Sequence, residues 1–335
     1  MCIRDRHYIG PKGYSIYKSS ITPQQQQQIK NDLTAKPAMQ YQMGAEIKTF
    51  PVYRESNKKI YIPRFYGIQQ FGKPDTYTIK DGDDIQLTFK GSLRDFQHNI
   101  IDAYFHHIHE QDCALLDIPC GFGKTVCALH IISRLAKKTL VIVHKDFLMQ
   151  QWKERIQEFL PDARIGKIQG PVVDIDDKDI VIGMLQTLYD RAFPENAFDC
   201  FGLTIIDEVH RIGSEQFSKS LLRIVSPNML GISATVDRKD KLTCVLYMFI
   251  GPKIYTEERK DDDPVCVRGI EYISTDGTFN ETEYDFRGQA KYSTMITKLC
   301  EFGPRSDFIV KLLDDLLNEG KANDQDPLEL EPHST

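Results

Sequence analysis

The spacing of apolar and polar positions changes near residue 93 and divides the chain into two regions. Before that point, short stretches in which apolar and polar residues alternate, such as Lys59–Ile62 and Ile85–Phe89, predict half-buried strands. The segment Thr22–Leu33, which has a proline at its second position, predicts a short helix. We therefore expect a small α+β accessory domain over residues 1–92.

After residue 93, near-continuous apolar strands alternate with helical segments. The predicted strands are Cys113–Ile118, Thr139–Val143, Asp179–Gly183, Leu203–Ile206 and Met229–Ser233. The predicted helices among them are Lys124–Ala136, Asp146–Leu160 and Glu215–Val225. This alternation indicates an α/β fold with a central parallel sheet that is buried on both faces. Ligands of such sheets bind beyond the carboxyl ends of the strands.

A charged segment over residues 257–264 ends this pattern. The elements predicted beyond it are a strand at Val265–Ser274, helices near Gly288–Glu301 and Ser306–Asn318, and a polar, acidic tail over residues 319–335. We expect residues 257–318 to form a linker strand and helices that lead towards a further domain.

Composition narrows the classes of protein. No apolar run approaches the roughly 20 residues that span a bilayer, and no secretory leader is visible. The eight cysteines are scattered, which favours a reduced, intracellular setting over a disulfide framework.

Net charge is distributed unevenly along the chain. Residues 1–95 carry 15 Lys and Arg against 9 Asp and Glu, whereas the remainder carries 27 against 39. A basic first part is suited to a polyanion, but an uneven solvated surface explains the counts equally well. Charge alone therefore does not decide the partner, and nothing in the sequence indicates an oligomeric state.

A glycine-bearing turn follows the first strand of the predicted sheet. The turn and the start of the next helix contain Pro119, Cys120, Gly121, Phe122, Gly123, Lys124 and Thr125. Small residues there let backbone N–H groups converge on a phosphate at the helix N-terminus. Lys124 would reach the β- and γ-phosphates, and the Thr125 hydroxyl would ligate Mg²⁺. The full phosphate-loop pattern has glycine where this chain has Ile118, but the position between strand and helix supports a nucleotide-phosphate site.

Two adjacent acids, Asp207 and Glu208, follow the predicted strand Leu203–Ile206. Acids at the end of a buried strand are costly unless a cation or a hydrogen-bonding network compensates them. We assign Asp207 to the Mg²⁺ shell and Glu208 as the base that orients and deprotonates the attacking water. With Lys124, they predict hydrolysis of a nucleoside triphosphate.

These segments resemble motifs I, II and III of the superfamily 2 helicases, which match residues 121–125, 207–210 and 233–235. The resemblance covers residues 93–256 and extends to helicases related to XPB and to those of phages and large DNA viruses. It implies a RecA-like P-loop NTPase domain that uses ATP. It further implies that Arg94 and Gln97 belong to an adenine-recognising element. The residues implied to couple hydrolysis to strand movement are His210, Ser233, Ala234 and Thr235, although His210 serves equally well as a strand cap.

The resemblance also implies contacts with the nucleic-acid backbone. The segment that includes Lys145 is similar to motif Ia, and the segment that includes Gln186 and Thr187 resembles the next contacting element. Such contacts go to phosphate and sugar, so we expect weak sequence specificity. Trp152 on the motif Ia helix is interpreted as core packing rather than as a base-stacking platform. The histidines at 106, 107 and 109 are interpreted as a solvated helix face rather than a metal site.

The function that the resemblance implies is ATP-driven translocation or unwinding of nucleic acid, with DNA favoured over RNA. Motors of this family hydrolyse ATP between two RecA-like domains, and the second, which supplies arginine fingers, is expected to be missing from this chain. We therefore interpret the chain as the ATP-binding portion of a longer protein. Loss of such a finger lowers turnover by roughly 10³–10⁵-fold in related NTPases, so hydrolysis by the portion alone is expected to be weak.

Two other classes of function stay open. One is a nucleotide-gated nucleic-acid binding module that does not unwind its ligand. The other is a P-loop ATPase that acts on a protein partner, with the basic N-terminal region as adaptor.

Overall fold

Three sheets and their associated helices make up the described part of the chain. The computed structural model describes residues 7–36, 49–108, 113–209, 215–234, 242–257, 269–286 and 288–323. Contacts divide the chain into two compact units, Met1–Asp261 and Asp262–Thr335. The finer domain boundaries at residues 92, 256 and 318 stay predictions.

The N-terminal part of the first unit contains seven strands in the described ranges. They are β1 His7–Gly10, β2 Gly13–Tyr17, β3 Thr34–Ala35, β4 Phe50–Pro51, β5 Arg54–Glu55, β6 Lys59–Ile62 and β7 Thr76–Tyr77. Five of them form a sheet in the order β5-β6-β2-β1-β7, in which the β1–β7 pair is parallel and the other pairs are antiparallel. The strands β3 and β4 pair with each other. The predicted strand Lys59–Ile62 is therefore confirmed.

Two helices accompany these strands, α1 Pro23–Asp32 and α2 Arg64–Phe71. The start of α1 is defined by a capping box, because the Thr22 hydroxyl accepts a hydrogen bond from the Gln25 N–H while the Thr22 N–H donates to the Gln25 side chain. Pro23 occupies the first helical position, where a missing N–H is harmless. The predicted helix is confirmed.

The predicted strand at Ile85–Phe89 is wrong. Residues 78–94 of the described chain form no strand, and the single bridge among them joins Asp84 to Lys137. The apolar members of the segment pack against the large α/β core, and the Phe89 ring stacks on Phe159 with centroids 5.5 Å apart. The Ile85 N–H donates to the Ala136 carbonyl at the end of a helix rather than to a neighbouring strand. The alternation thus reflects side-chain packing without a hydrogen-bonded ladder.

A second sheet organises the rest of the first unit and has eight strands in the described part of the chain. These are β8 Cys113–Asp117, β9 Thr139–Val143, β10 Ile165–Gln169, β11 Val172–Val173, β12 Ile180–Met184, β13 Leu203–Asp207, β14 Asn228–Ser233 and β15 Lys253–Thr256. They lie in the order β11-β10-β12-β9-β13-β14-β8-β15, and all pairs are parallel except β10 with β11. Strands β9, β12 and β13 are buried along their whole length. The predicted α/β fold with a central parallel sheet is confirmed.

The helices of this region, within the described ranges, are α3 Asp95–Ile108, α4 Lys124–Leu135, α5 Asp146–Phe159, α6 Leu185–Asp190, α7 Glu215–Leu221 and α8 Thr243–Ile250. Strand β14 lies between β8 and β13, and its register pairs Ser233 with Asp117 and Ile232 with Asp207. The carboxyl ends of these three strands therefore meet at one edge of the sheet. Because neighbouring strands lie about 4.8 Å apart, the turn after β8 and the acids after β13 are brought close together.

The N-terminal sheet region is joined to the α/β core within the first unit. Arg64 at the start of α2 is buried, and its Nη1 donates to the Cys113 Sγ at 3.3 Å and to the Pro227 carbonyl at 2.9 Å. Helix α2 also packs against α8. Phe65 lies so close to Gly251 that an added Cβ there would meet the ring at 2.8 Å. These contacts fix the accessory sheet to the edge of the core that carries β8.

The second unit, in its described residues, contains α9 Gly277–Asn280, α10 Tyr292–Glu301 and α11 Gly303–Asn323. The predicted strand at 265–274 is not formed in the described residues 269–274, and residues 265–268 lie outside the described ranges. Helix α10 begins four residues later than predicted because a bridge between Tyr284 and Ala290 occupies the preceding segment. None of the described helices combines the length and apolar character needed to cross a bilayer.

Candidate nucleotide site

The turn between β8 and α4 has the geometry of a phosphate-binding loop. Gly121 and Gly123 both adopt positive φ, at 88° and 74°, and Gly123 is the residue that precedes the first turn of α4. Backbone N–H groups at a helix N-terminus are unpaired and carry the positive end of the helix dipole, so they favour an anion. Lys124 and Thr125 are the first two residues of α4. The turn therefore presents its predicted phosphate-binding residues at one helix end.

Pro119, Cys120 and Phe122 complete the turn. The Phe122 N–H donates to the Pro119 carbonyl at 3.4 Å, which closes the turn on itself. Cys120 is exposed, and its Sγ lies 4.0 Å from the Lys124 Nζ. The Phe122 ring contacts Phe96 on α3 with centroids 5.3 Å apart. Thus α3 packs against one side of the turn, while Cys120 and Gly121 are exposed.

Lys124 and Glu208 form an ion pair across the site. The Lys124 Nζ lies 2.8 Å from the Glu208 Oε1, and the two side chains are 12% and 20% exposed. Glu208 adopts a positive φ of 51°, an uncommon conformation for a residue with a side chain. That backbone conformation follows directly after β13 and turns Glu208 away from the strand direction. The base predicted from sequence and the lysine of the phosphate turn are therefore brought into contact.

Asp207 is the buried member of the acidic pair. It is 7% exposed at the last position of β13, and its Oδ1 accepts the Glu208 N–H at 2.9 Å. Its Oδ2 accepts the indole N–H of Trp152 at 2.8 Å. Burial raises the pKa of the Asp207 carboxyl, and the charge of Glu208 adds to the rise, whereas Trp152 and Lys124 oppose it. A buried carboxylate in this setting is stabilised by a cation close to it.

Gln97 connects the segment predicted to recognise adenine to the turn after β8. Its Oε1 accepts the Arg94 N–H at 2.9 Å, and its Nε2 donates to the Phe122 carbonyl at 3.1 Å. The side chain is buried, while Arg94 is exposed. A Cβ at Gly123 would meet the Gln97 Nε2 at 2.4 Å, so glycine is required there for contact as well as for conformation. The two segments touch as the resemblance implies, and the base-reading role of Gln97 stays a prediction.

The predicted coupling segment reaches the same edge through β14. Ser233 is fully buried, and its carbonyl accepts the Ile118 N–H at 2.7 Å, directly before the phosphate turn. Ala234 follows and is half-buried. His210 and Thr235 lie outside the described residues. Coupling between hydrolysis and movement therefore stays a prediction for all four.

The segments predicted to contact nucleic acid lie next to each other. Lys145 is exposed at the start of α5, directly beyond β9. The Gln186 Nε2 donates to the carbonyl of His144 at 3.2 Å, which ties the loop after β12 to the loop after β9. The Thr187 hydroxyl is occupied locally, since it accepts the Gly170 N–H at 2.9 Å. Thus Lys145 and Gln186 share one end of the sheet, and Thr187 organises the loop beside them.

The contact between Trp152 and Asp207 is the part of the site that the sequence did not reveal. Trp152 is 1% exposed, which confirms that it packs in the core. Its indole N–H nevertheless reaches the predicted magnesium ligand from a helix 55 positions earlier in the chain. A tryptophan on the apolar face of a helix carries no local signal for such a contact.

A cavity of 720 Å³ elsewhere in the first unit is not part of this site. It lies between the N-terminal sheet and the loop that contains Glu195, and its lining includes no residue of the phosphate turn. Two of its lysines are engaged internally, Lys12 with Glu195 at 2.7 Å and Lys59 with the Tyr8 hydroxyl at 2.8 Å. The residues predicted to bind nucleotide therefore lie at the sheet edge and not in this cavity.

Comparison with known proteins agrees with this geometry. Residues 90–238 match the family described as "Type III restriction enzyme, res subunit". The chain is 32% identical to "Putative ATP-dependent RNA helicase L396" of Acanthamoeba polyphaga mimivirus, over 92% of this chain and 61% of that protein. It is 30% identical to "Putative helicase 109L" of Invertebrate iridescent virus 3, over 63% of this chain and 68% of that protein. The chain belongs to the superfamily 2 helicases.

A further relative is similar over half of the chain. "DNA 3'-5' translocase XPB2" of Sulfurisphaera tokodaii is 34% identical over 50% of this chain and 36% of its own length. The chain thus spans between about one third and two thirds of the length of these three relatives.

Proposed function

We propose that this helicase-family chain binds ATP with Mg²⁺ at the edge formed by β8, β14 and β13. In this proposal it hydrolyses ATP to move along or unwind nucleic acid. The observation that supports this most strongly is the convergence of Lys124, Asp207 and Glu208. The lysine begins α4, the acids end β13, and the Lys124 Nζ lies 2.8 Å from the Glu208 Oε1. Few constellations other than a nucleotide site place one ammonium and two carboxylates at a phosphate-binding turn.

Different groups of the site bind the phosphates and the magnesium ion. Backbone N–H groups of the turn and the Lys124 ammonium bind the β- and γ-phosphates. The Asp207 carboxylate and the Thr125 hydroxyl are hard oxygen donors, and Mg²⁺ is commonly held by one or two carboxylates together with substrate phosphates. The buried, hydrogen-bonded Asp207 therefore fits this ion. When bound, Mg²⁺ neutralises charge that develops on the phosphates.

The Lys124–Glu208 pair suggests that nucleotide binding precedes activation of the attacking water. While Glu208 is paired with the ammonium, its Oε1 is engaged by Lys124 and is not available to orient a water. Phosphates that draw Lys124 towards the turn release Glu208 to orient a water and accept its proton. Glu208 is already partly buried and set by the backbone at a fixed position after β13. It therefore needs only a side-chain movement to act as the base.

We propose DNA as the preferred nucleic acid. Lys145 and Gln186 would contact it with little sequence specificity. The exposure of Lys145 and its position beside Gln186 support a backbone-contacting surface. The Sulfurisphaera tokodaii relative is named a DNA translocase and the mimivirus relative an RNA helicase, so the test includes both DNA and RNA. We propose that unwinding requires a second RecA-like domain in addition to the α/β region described above. We further propose an intracellular setting, which the scattered placement of the eight cysteines along the sequence supports.

The test is ATP turnover with and without nucleic acid, measured with DNA and RNA strands of equal length. We expect nucleic acid to stimulate turnover, and DNA to do so more than RNA. We also expect a Glu208→Gln variant to bind ATP without turnover. Absence of stimulation by either ligand would favour an ATPase that acts on a protein partner. Stimulated turnover without strand displacement on partial duplexes would instead indicate a translocase or a gated binder.

A further inference from the structure

Trp152 is placed to act on the magnesium site rather than only to fill the core. It lies on α5, two turns beyond Lys145, and its side chain is 1% exposed. The indole Nε1 donates to the Asp207 Oδ2 at 2.8 Å, and both groups are buried. A buried indole N–H needs an acceptor, but most acceptors available to it in a core are backbone carbonyls. Here the acceptor is the carboxylate assigned to Mg²⁺.

The two oxygens of Asp207 are each held by one donor from a different direction. Oδ2 accepts the Trp152 indole N–H, and Oδ1 accepts the Glu208 N–H at 2.9 Å. A carboxylate offers about four acceptor positions, so about two stay available for a metal ion or its water. Two rigid donors also fix the plane of the carboxylate, because neither the ring of a packed tryptophan nor a backbone N–H can follow a rotating side chain.

We propose that Trp152 is a positioning residue that holds the Asp207 carboxylate in the orientation required to bind Mg²⁺ with nucleotide. The inference rests on the proposed role of Asp207 as the magnesium ligand. Partners that orient a ligating carboxylate typically contribute 10- to 100-fold to metal affinity, because an unrestrained ligand must be ordered on binding. Trp152 thereby links helix α5 to the chemistry of β13.

A tryptophan that only packs makes a different prediction. Loss of its N–H would then alter the unfolding midpoint at most, and the Mg²⁺ requirement of nucleotide binding would stay the same. The composition of the chain makes this distinction measurable. Trp152 is the single tryptophan in the sequence, so tryptophan emission reports on this residue alone. Replacement of all tryptophan by an analogue likewise alters this position alone.

The decisive experiment replaces Trp152 by 3-benzothienylalanine, which keeps the bicyclic shape and has sulfur in place of the indole N–H. Binding of the non-hydrolysable ATP analogue AMP-PNP is titrated by calorimetry at increasing free Mg²⁺, and once in EDTA. We expect the free Mg²⁺ for half-maximal binding to rise about tenfold, with unchanged binding in EDTA. In the native chain, tryptophan emission should change on addition of AMP-PNP with Mg²⁺ and stay constant with AMP-PNP in EDTA.

Two controls keep the result interpretable. Ile156→Val loosens the same buried face of α5 one turn further on without touching Asp207, and it should leave the Mg²⁺ requirement unchanged. Trp152→Phe provides a genetically encoded variant for comparison, with its folding checked by thermal unfolding. An unchanged Mg²⁺ requirement in the sulfur variant, with normal nucleotide binding, would overturn the positioning role and leave the proposed function intact. Failure of the native chain to bind AMP-PNP at all would refute the proposed function itself.

Discussion

The Lys124 ammonium lies 2.8 Å from the Glu208 Oε1, although the two residues are 84 positions apart in the chain. One begins the helix after β8, and the other follows the last residue of β13. Both side chains are largely shielded from solvent, so their attraction is stronger than that of a surface pair. The pair joins the two segments that we propose to bind phosphate and to activate water, and we expect nucleotide binding to open it.

Replacement of Glu208 by glutamine should separate binding from hydrolysis. The amide retains the size of the side chain but cannot accept a proton, and it no longer competes as an anion for Lys124. We expect ATP affinity to be retained or modestly improved, while turnover falls by about 10²–10⁴-fold. Single-turnover hydrolysis and equilibrium binding measure the two quantities. Glu154→Gln, an exposed change on α5, is the control, and undiminished turnover in Glu208→Gln would rule out the base assignment.

The two glycines of the phosphate turn should differ in their tolerance of alanine. Both have positive φ, but an added Cβ at Gly121 meets open space, whereas one at Gly123 lies 2.4 Å from the Gln97 Nε2. Gly121→Ala should cost about 1–2 kcal/mol of unfolding free energy from backbone strain. Gly123→Ala should cost about 1–3 kcal/mol more, because Gln97 is buried and hydrogen-bonded and cannot move aside freely. Thermal unfolding without nucleotide compares the two variants. Equal losses of stability would contradict the close contact between Gly123 and Gln97.

Removal of the Arg64 guanidinium should destabilise the first unit. Arg64→Met keeps the aliphatic stem but deletes the donor to the Pro227 carbonyl at 2.9 Å in a buried setting. We expect a loss of about 1–3 kcal/mol, since a buried acceptor is left without this donor. The exposed change Arg155→Met should stay within about 0.5 kcal/mol. Chemical unfolding of both variants tests the expectation, and a matching small effect for Arg64→Met would show that the bond does not hold the two regions together.

Asp179 at the entry to β12 should make stability depend on pH. Burial alone would raise its pKa, but hydrogen bonds from the Arg164 guanidinium and N–H outweigh burial and hold the pKa of Asp179 below its usual value. Its folded pKa is therefore lower than the unfolded value of about 3.9, so its stabilisation is present above that pH and is lost as pH falls through the folded pKa.

The Asp179→Asn variant should accordingly be about 1–3 kcal/mol less stable than the native chain at pH 7. The difference in unfolding free energy between the two proteins should narrow as the pH falls below about 4, because the Asp179 carboxylate of the native chain then becomes protonated. Unfolding midpoints of both proteins at pH 7 and at acidic pH measure this stability difference. Asp176→Asn, an exposed neighbour, serves as control. A difference that is constant across this range would mean that the ion pair with Arg164 contributes nothing to stability.

Local sequence patterns were sufficient for most elements of the α/β region. Thr139–Val143 is a continuous apolar run between polar residues, and strand β9 has those same ends. The cap at Thr22 needs only Gln25 three positions later, so it is also readable locally. The glycine-rich turn and the acids after β13 were likewise predicted, because each is a short motif next to a recognisable element.

Long-range pairings could not be derived in the same way. The position of β14 between β8 and β13 depends on sheet pairing across more than 100 residues, and the alternation at Ile85–Phe89 was satisfied by packing rather than by a ladder. The bond from Trp152 to Asp207 depends on how α5 lies on the sheet. Each of these is set by tertiary packing, which leaves no periodic or spacing signal in the residues concerned.

Calorimetric titration of the chain with ATP, with and without Mg²⁺, tests whether the turn after β8 and the acids after β13 form a nucleotide site. We expect one Mg²⁺-dependent ATP site per chain, weakened at least tenfold by Lys124→Ala and unaffected by Lys153→Ala on the exposed face of α5. Absence of ATP binding in the native chain, or equal affinity in the native chain and Lys124→Ala, would contradict it.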